Sequence, residues 1–257
     1  MCDTENIMPY HLGFISDQNL FLHVSETIEK YRSLIDLKAF NKNIIDPIKL
    51  TFDAKIYRRT IEEIIEVEVI RQLDKSNNNH IGYFHQNIFK YFEGWTVPTQ
   101  GYDVVNESQH IYVEMKNKHN TMNSSSSQKT YMRMQNTILE QPEAQCLLVE
   151  VIAKRSQNVP WVISLDNRQI VHEQIRRVSI DHFYAMVTGQ EDAFARLCAV
   201  LPQVIDDILQ KTNTAYLIEN TVLQELQQLQ STDLLKNIYL TAFQNYLGFQ
   251  NFHWVSL

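Results

Sequence analysis

The feature that most constrains the fold of this chain is a change in the spacing of its apolar residues near residue 95. Before that point apolar residues recur at helical spacing, whereas three short runs at 95–100, 102–106 and 110–116 are rich in β-branched and aromatic residues and bounded by turn residues. Runs of this kind are typical of strands. Residues 124–140 then return to helical spacing, and the apolar run CLLVEVIA at 146–153 predicts a central strand. The order helix, three strands, helix, strand predicts an α/β fold with a central mixed sheet flanked by helices.

The flanking regions predict additional helices at both ends of the chain. In residues 1–80, one helix is predicted from an N-cap at Ser25 and another over 60–73, followed by a polar loop at 74–80. A third helix is predicted at 80–95, and residues 156–257 are also mainly helical. A chain of 257 residues, 44% hydrophobic, can bury a full core. We therefore predict a single domain over 1–257 with its catalytic core at 81–155.

Charge is unevenly distributed along the sequence. The net charge of −7 argues on its own against a partner rich in phosphate. However, residues 115–139 contain no acidic residue and carry Lys116, Lys118, Lys129 and Arg133. This acid-free segment predicts a local basic surface, whose simplest interpretation is a solvated face.

Other broad classes are disfavoured by composition. The three cysteines have no CxxC or CxxH spacing, so they predict neither a disulfide framework nor a zinc cluster. The N-terminal segment is acidic and polar, unlike a signal peptide, and no apolar run approaches the length that spans a membrane. These features predict a cytoplasmic protein with no membrane partner.

The hairpin predicted over 101–118 carries charges that a simple hairpin does not need. If its strands pair with Asp103 opposite Tyr112, the side chains of Asp103, Glu114 and Lys116 project from the same face of the sheet. Asp103 and Glu114 then become diagonal neighbours with Cα atoms roughly 7–8 Å apart. Two carboxylates at that spacing can share one hard cation, so the pattern predicts a site for Mg²⁺.

Lys116 extends this metal site into a reaction centre. Its ammonium group can hold a water molecule and offset negative charge that builds up on a phosphate. The chemistry indicated is hydrolysis of a phosphodiester. In a noncatalytic alternative, the same charges form salt bridges between Glu114 and Lys116 or between Asp103 and Lys118.

The pattern of Asp103, ten intervening residues and then Glu114-Met115-Lys116 resembles the motif of the PD-(D/E)XK nucleases. Three longer segments also resemble type II restriction endonucleases of the SinI and AvaII kind, namely 81–95, 111–135 and 178–197. Enzymes of that kind cut at GGWCC. This resemblance implies a restriction-endonuclease-like core and a homodimer that uses Mg²⁺ to cut both strands of a short palindrome. It implies a site such as GGWCC or GGNCC, products with 5′-phosphate and 3′-hydroxyl ends, and a cognate DNA methyltransferase in the same system.

The resemblance also implies roles for individual residues. Asp103, Glu114 and the Met115 carbonyl match the metal ligands, and Lys116 matches the catalytic lysine, which assists in-line attack of water at phosphorus. The sequence departs from the motif at Tyr102, which stands where the name of the motif has proline. Residues 85–87 also lack the glutamate that many relatives place on the preceding helix, so Glu63 or Glu66 is an alternative source of a third ligand.

Polar residues near the motif are candidates for binding double-stranded DNA. The helix that follows the motif favours phosphate at its N-terminus, and amide or basic side chains suit base readout in the major groove. An Asx-turn or a helix cap is the simpler interpretation of any single asparagine. The predicted contacts are Asn117, Lys118, His119, Asn120, Asn123, Ser124, Ser125, Gln128 and Lys129, together with Arg71 just before the polar loop and Lys75 and Asn78 within it.

Two other functions fit parts of the pattern. A repair or junction-resolving nuclease of the same superfamily would read DNA structure more than sequence. A noncatalytic DNA-binding protein would use the basic segment without cutting.

Overall fold

The computed structural model of the chain describes residues 10–31, 33–119, 121–165, 167–212, 219–229, 233–243, 245 and 249. The chain divides into two compact units. The first unit comprises residues 1–29 and 80–214, and the second comprises residues 30–79 and 215–257. The single domain expected from chain length stays a prediction.

The described residues alternate between helices and strands. The helices are α1 (Asp17–Lys30), α2 (Leu37–Lys42), α3 (Pro47–Tyr57), α4 (Ile61–Asn87), α5 (Ser124–Glu140), α6 (Ile180–Thr188), α7 (Ala193–Thr212), α8 (Val222–Gln227) and α9 (Leu234–Phe243), with a short 3-10 helix at Ile88–Tyr91. The strands are β1 (Leu34–Ile35), β2 (Val104–Asn106), β3 (Ile111–Lys118), β4 (Gln145–Ile152), β5 (Asn158–Pro160), β6 (Ile163–Leu165), β7 (Arg168–Ile170), β8 (Ile175–Ser179) and β9 (Glu219–Asn220).

The first unit is built around a five-stranded mixed sheet in the order β2-β3-β4-β8-β5. The three central strands β3, β4 and β8 are parallel, and β2 and β5 run antiparallel at the two edges. Helix α5 connects β3 to β4, as a parallel pair requires. This arrangement confirms the predicted α/β class and the central mixed sheet flanked by helices.

Apolar side chains cover the sheet on both faces. On one face, Val113, Met115 and Val149 join a core that includes residues of α1, α6 and α7. On the opposite face, Cys146 and Leu148 pack against α5 in a second core. Because successive side chains of a strand point to opposite faces, the alternating burial of β3 assigns Tyr112, Glu114 and Lys116 to the α5 side.

The helices of the N-terminal region begin and end differently from the prediction. Ser25 lies inside α1 and does not cap a helix; Ser16 Oγ accepts the Asn19 N–H at 3.1 Å near the helix start. The predicted polar loop at 74–80 is helical and belongs to α4. Its polar side chains lie along the helix, where Asn78 Nδ2 donates to Asp74 Oδ2 at 2.8 Å, a pairing one helical turn apart.

One of the three predicted strands is almost absent. Residues 95–100 contribute an isolated bridge between Thr96 and Val105, whereas the other two predicted runs form β2 and β3. The run at 146–153 forms β4, as predicted.

The second unit has its own apolar core. Residues Ile35, Phe40, Ile65 and Val222 are fully buried there. Strands β1 and β9 pair in parallel in this unit. Among the described residues, no helix combines the length and the apolar character needed to cross a bilayer.

Candidate functional site

The hairpin of β2 and β3 has a different register from the predicted one. Tyr112 pairs with Val105 and not with Asp103, and Val104 pairs with Val113. The shift amounts to two residues. Because side chains alternate with a period of two, such a shift keeps each side chain on its predicted face.

Asp103 lies immediately before β2 and is fixed to β3 at two points. Its backbone N–H donates to the Val113 carbonyl at 2.9 Å, and its Oδ2 accepts the Met115 N–H at 2.7 Å. Burial raises the pKa of the Asp103 carboxyl, and the charge of Glu114 raises it further. The hydrogen bond from the Met115 N–H and the positive charges of Lys116 and Arg133 lower this pKa, but they do not cancel the increase. Asp103 therefore lies within electrostatic range of Glu114 and Lys116.

Glu114 is held between two cations. Its Oε1 accepts a hydrogen bond from Lys116 Nζ at 2.6 Å, and its Oε2 accepts one from the Arg133 guanidinium. Arg133 projects from α5, donates to the Gly101 carbonyl at 3.1 Å, and lies over the Tyr102 ring with Cζ 4.5 Å from the ring centroid. The Glu114 side chain is only 12% exposed, and each of its carboxylate oxygens has a positively charged partner. Arg133 thus takes part in the site, although the sequence placed it only in the acid-free segment.

The donor set suits a hard divalent cation. Asp103 and Glu114 supply carboxylate oxygens, and burial raises the pKa of Asp103, so its charged form is less stable here than in water. A cation bound between the two groups would relieve that penalty. The described residues contain no group of three or more histidine, cysteine or acidic side chains arranged for a metal. The Met115 carbonyl as a further ligand stays a prediction.

A second charged cluster lies beside this site and was not predicted. Glu150 on β4 is 1% exposed, and it pairs in register with Lys116 on β3. Its Oε1 lies 2.9 Å from the Arg177 guanidinium, with which it forms an ion pair, and its Oε2 lies 2.9 Å from Nδ1 of His119. The sequence feature that could have indicated this cluster is the single glutamate, Glu150, within the apolar run CLLVEVIA.

The predicted DNA contacts after β3 fall on several surfaces. Asn117 and Lys118 end β3, His119 belongs to the Glu150 cluster, and Asn120 lies outside the described residues. Asn123 is the N-cap of α5, because its side chain accepts the Ser126 N–H. The remaining four form the first turns of α5: Ser124, Ser125 and Lys129 are exposed, and Gln128 donates to the Ser164 carbonyl at 2.8 Å.

The other predicted contacts lie in the second unit on α4. Arg71 pairs with Glu68 at 2.6 Å, Asn78 bonds to Asp74, and Lys75 is exposed. Of the two alternative metal ligands, Glu63 accepts the Thr60 N–H at 3.0 Å and Glu66 is exposed. Glu63 therefore has a structural role in a capping box at the start of the helix.

Comparisons with known proteins give a consistent result. A family model described as Eco47II restriction endonuclease matches residues 12–210, which include both charged clusters. The chain is 33% identical to the type II restriction enzyme Sau96I of Staphylococcus aureus over 210 residues, covering 77% of this chain and 80% of that protein. It is 30% identical to the type II restriction enzyme Eco47II of Escherichia coli over 211 residues, covering 77% of this chain and 88% of that protein.

Proposed function

Because this chain belongs to the Eco47II restriction endonuclease family and is a type II site-specific deoxyribonuclease, we propose that Asp103, Glu114 and Lys116 form its active site. The observation that carries this proposal is the convergence of two carboxylates and an ammonium group at the start of β2 and the centre of β3. We further propose that this arrangement is a PD-(D/E)XK site. Membership in a family of enzymes argues against the noncatalytic alternative.

A divalent cation is generally required by type II restriction enzymes, and the proposed ion is Mg²⁺ held by Asp103 and Glu114. When bound, it supplies Lewis-acid stabilisation of the negative charge that develops on the phosphate. The Met115 N–H fixes the orientation of Asp103, and Arg133 fixes that of Glu114. Lys116 Nζ, which is partly exposed, can donate a hydrogen bond to the attacking water or to a phosphate oxygen.

The proposed substrate is a short palindromic site in double-stranded DNA, GGWCC or GGNCC, cut to leave 5′-phosphate ends. A palindrome matches a two-fold symmetric protein, so the proposed active form is a homodimer in which each subunit reads one half-site. The proposed contacts are the residues around the first turn of α5, with Lys118 and His119. We also propose a closer relationship to the SinI and AvaII group, a cytoplasmic location and a cognate DNA methyltransferase in the same system.

Replacing Lys116 tests the proposed active site. We expect Lys116→Ala to reduce Mg²⁺-dependent plasmid cleavage by at least about 100-fold, since it removes a group that acts on developing charge. Binding to a duplex without divalent metal should change by less than about threefold, because one of several phosphate contacts is lost. Asp103→Asn should also abolish cleavage, together with any thermal stabilisation by Mg²⁺.

Lys90→Ala is the matched control. Lys90 is an exposed lysine of the same unit, and it pairs with Glu26 at 3.2 Å. The preceding residue, Phe89, belongs to the apolar core on the face of the sheet opposite the proposed active site. This variant should cut like the wild type. Cleavage by Lys116→Ala at the wild-type rate would refute the proposed mechanism. Discrete, reproducible plasmid fragments distinguish a site-specific enzyme from the junction-resolving alternative, and sequencing their ends gives the recognition site.

A further inference from the structure

A cavity of about 370 Å³ lies at the β5 edge of the central sheet, beside the Glu150 cluster. Its lining includes four basic side chains, those of His119, Lys154, Arg155 and Arg177. The rest of the lining is largely apolar and includes Trp161 from the segment after β5. The volume is in the range of sites that hold one small molecule, and it corresponds to one nucleotide unit rather than a double helix.

Glu150 holds two of these basic side chains from inside the protein. The buried carboxylate binds Arg177 with one oxygen and His119 with the other, so both side chains are fixed before any ligand arrives. The Arg177 guanidinium also lies 6.0 Å from the centroid of the Trp161 ring. A prearranged set of donors loses less conformational entropy when it binds a ligand.

The cavity carries an excess of positive charge. Glu150 compensates the charge of Arg177, whereas Lys154 and Arg155 form no ion pair with a carboxylate among the described residues. Both side chains are exposed on the segment between β4 and β5. The described residues that line the cavity include no acidic side chain. Such a surface favours an anion, and the apolar lining residues suit the sugar that accompanies a backbone phosphate.

The sheet fixes the position of the cavity relative to the proposed active site. Lys116 on β3 pairs with Glu150 on β4, and Glu150 pairs with Ser179 on β8, two residues beyond Arg177. Arg177 thus lies two strands away from Lys116 and two residues along the sheet, a separation of about 12 Å. At a rise of about 3.4 Å per base pair, a DNA strand covers that distance in roughly three to four nucleotides.

We propose that this cavity is a second DNA subsite, which binds a backbone phosphate within a few nucleotides of the one that is cut. Lys154, Arg155, His119 and Arg177 are the groups that contact the phosphate, and Glu150 is a positioning residue that holds the last two. The inference rests on the proposed function, because the ligand is a phosphate of the same DNA substrate. Contacts of this kind fix the register of the duplex and carry no direct sequence information.

The salt dependence of DNA binding tests this subsite. The probe is a duplex without GGNCC, titrated without divalent metal at several concentrations of NaCl between 50 and 200 mM. Each lost phosphate contact should reduce the slope of log K against log salt by about 0.9. The double variant Lys154→Ala/Arg155→Ala should lose one or two phosphate contacts, so we expect the slope to fall by roughly 0.9 to 1.8. Both residues are exposed, and an unchanged thermal midpoint verifies that the variant is folded.

Two further measurements complete the test. Lys90→Ala should keep the wild-type slope, and the wild type is assayed for plasmid cleavage in parallel. If Lys154→Ala/Arg155→Ala binds with the slope and affinity of Lys90→Ala while the wild type still cuts plasmid DNA, the subsite is wrong and the proposed function stands. If the wild type neither binds nor cuts DNA, both proposals fall together.

Discussion

At the residue scale, Glu150 shows how a buried charge is tolerated. Removing a carboxylate from water is costly unless its charge is paired and its oxygens accept hydrogen bonds. Arg177 and His119 satisfy one oxygen each, and their own side chains are only 25% and 18% exposed. The three groups therefore depend on one another, and removing any one leaves the others with an unsatisfied charge or donor.

This dependence predicts a large effect of Glu150→Ala on stability. We expect the free energy of unfolding to fall by about 2–3 kcal/mol. This loss is smaller than that for breaking a fully buried ion pair, because Arg177 can still reach water. Urea denaturation measures the change. Glu143→Ala is the matched control, because its side chain is 85% exposed, and it should change stability by less than about 0.5 kcal/mol.

A double-mutant cycle sharpens the same prediction. Arg177→Ala in the Glu150→Ala background should cost much less than Arg177→Ala alone, because the partner carboxylate is already gone. Additive effects of the two substitutions would contradict the coupling inferred from the 2.9 Å contact.

The residues of the candidate site differ in how far the sequence could identify them. Asp103, Glu114 and Lys116 lie on one hairpin, where alternation alone assigns the faces. Their assignment as catalytic residues stays a prediction. Arg133 and Arg177 reach their partners from α5 and β8, and such pairings depend on how distant segments pack, which local patterns do not encode.

At the element scale, α5 shows that a cap depends on a single side chain. The side chain that accepts the Ser126 N–H is Asn123 Oδ1, at 2.8 Å, and not that of any of the serines 124–127. Asn123 has the extended backbone conformation of an N-cap residue, and Ser124 is the first residue of the helix.

The cap gives a prediction for α5. Asn123→Ala should lower the free energy of unfolding by about 1 kcal/mol, because it leaves an N–H of the first turn without its partner. Ser124→Ala, one residue later and exposed, is the control and should have little effect. Urea denaturation of both variants checks the difference. A larger loss for Ser124→Ala than for Asn123→Ala would contradict this assignment.

Helix α4 illustrates why the predicted boundaries failed. The stretch from Asp74 to Asn79 is polar, and polar clusters are usual in loops, so the sequence predicted a break. In the structure the apolar residues on either side, Leu73 and Phe84, are both buried, and the polar residues between them occupy turns of one helix. Burial of its flanking turns outweighs the weak helical preference of asparagine.

At the scale of the whole molecule, one buried histidine, His23, and one partly buried histidine, His85, connect the stability of the first unit to pH. Burial lowers the pKa of His23 to about 4, although the Phe84 carbonyl, 2.9 Å from Nε2, favours the charged form. Burial also lowers the pKa of His85 to about 4. In the unfolded chain both groups would titrate near 6.5.

The sign of the pH effect follows from these values. Between about pH 6.5 and pH 4 the unfolded state binds a proton at each histidine and the folded state does not, so stability falls as the pH falls. Above pH 6.5 the stability contribution is fully present. At about 1.4 kcal/mol per pKa unit, His23 alone accounts for a loss of about 3 kcal/mol across this window.

Urea denaturation at pH 7, 6, 5 and 4.5 tests this prediction. His23→Gln should show a smaller loss of stability with falling pH than the wild type, because glutamine does not titrate. His182→Gln, at an exposed position of α6, is the matched control and should follow the wild-type curve. Identical pH dependence of His23→Gln and the wild type would rule out His23 as the source.

The contact between Arg133 and Glu114 has a consequence for insertions in this part of the chain. Glu114 is oriented by the two-residue period of β3, and Arg133 by the 3.6-residue period of α5. One extra residue in the strand before Glu114 would turn its carboxylate into the opposite core. One extra residue between Asn123 and Arg133 would rotate the guanidinium by about 100° around the helix axis. Length changes in these two elements would therefore dismantle the ion pair even with every side chain retained.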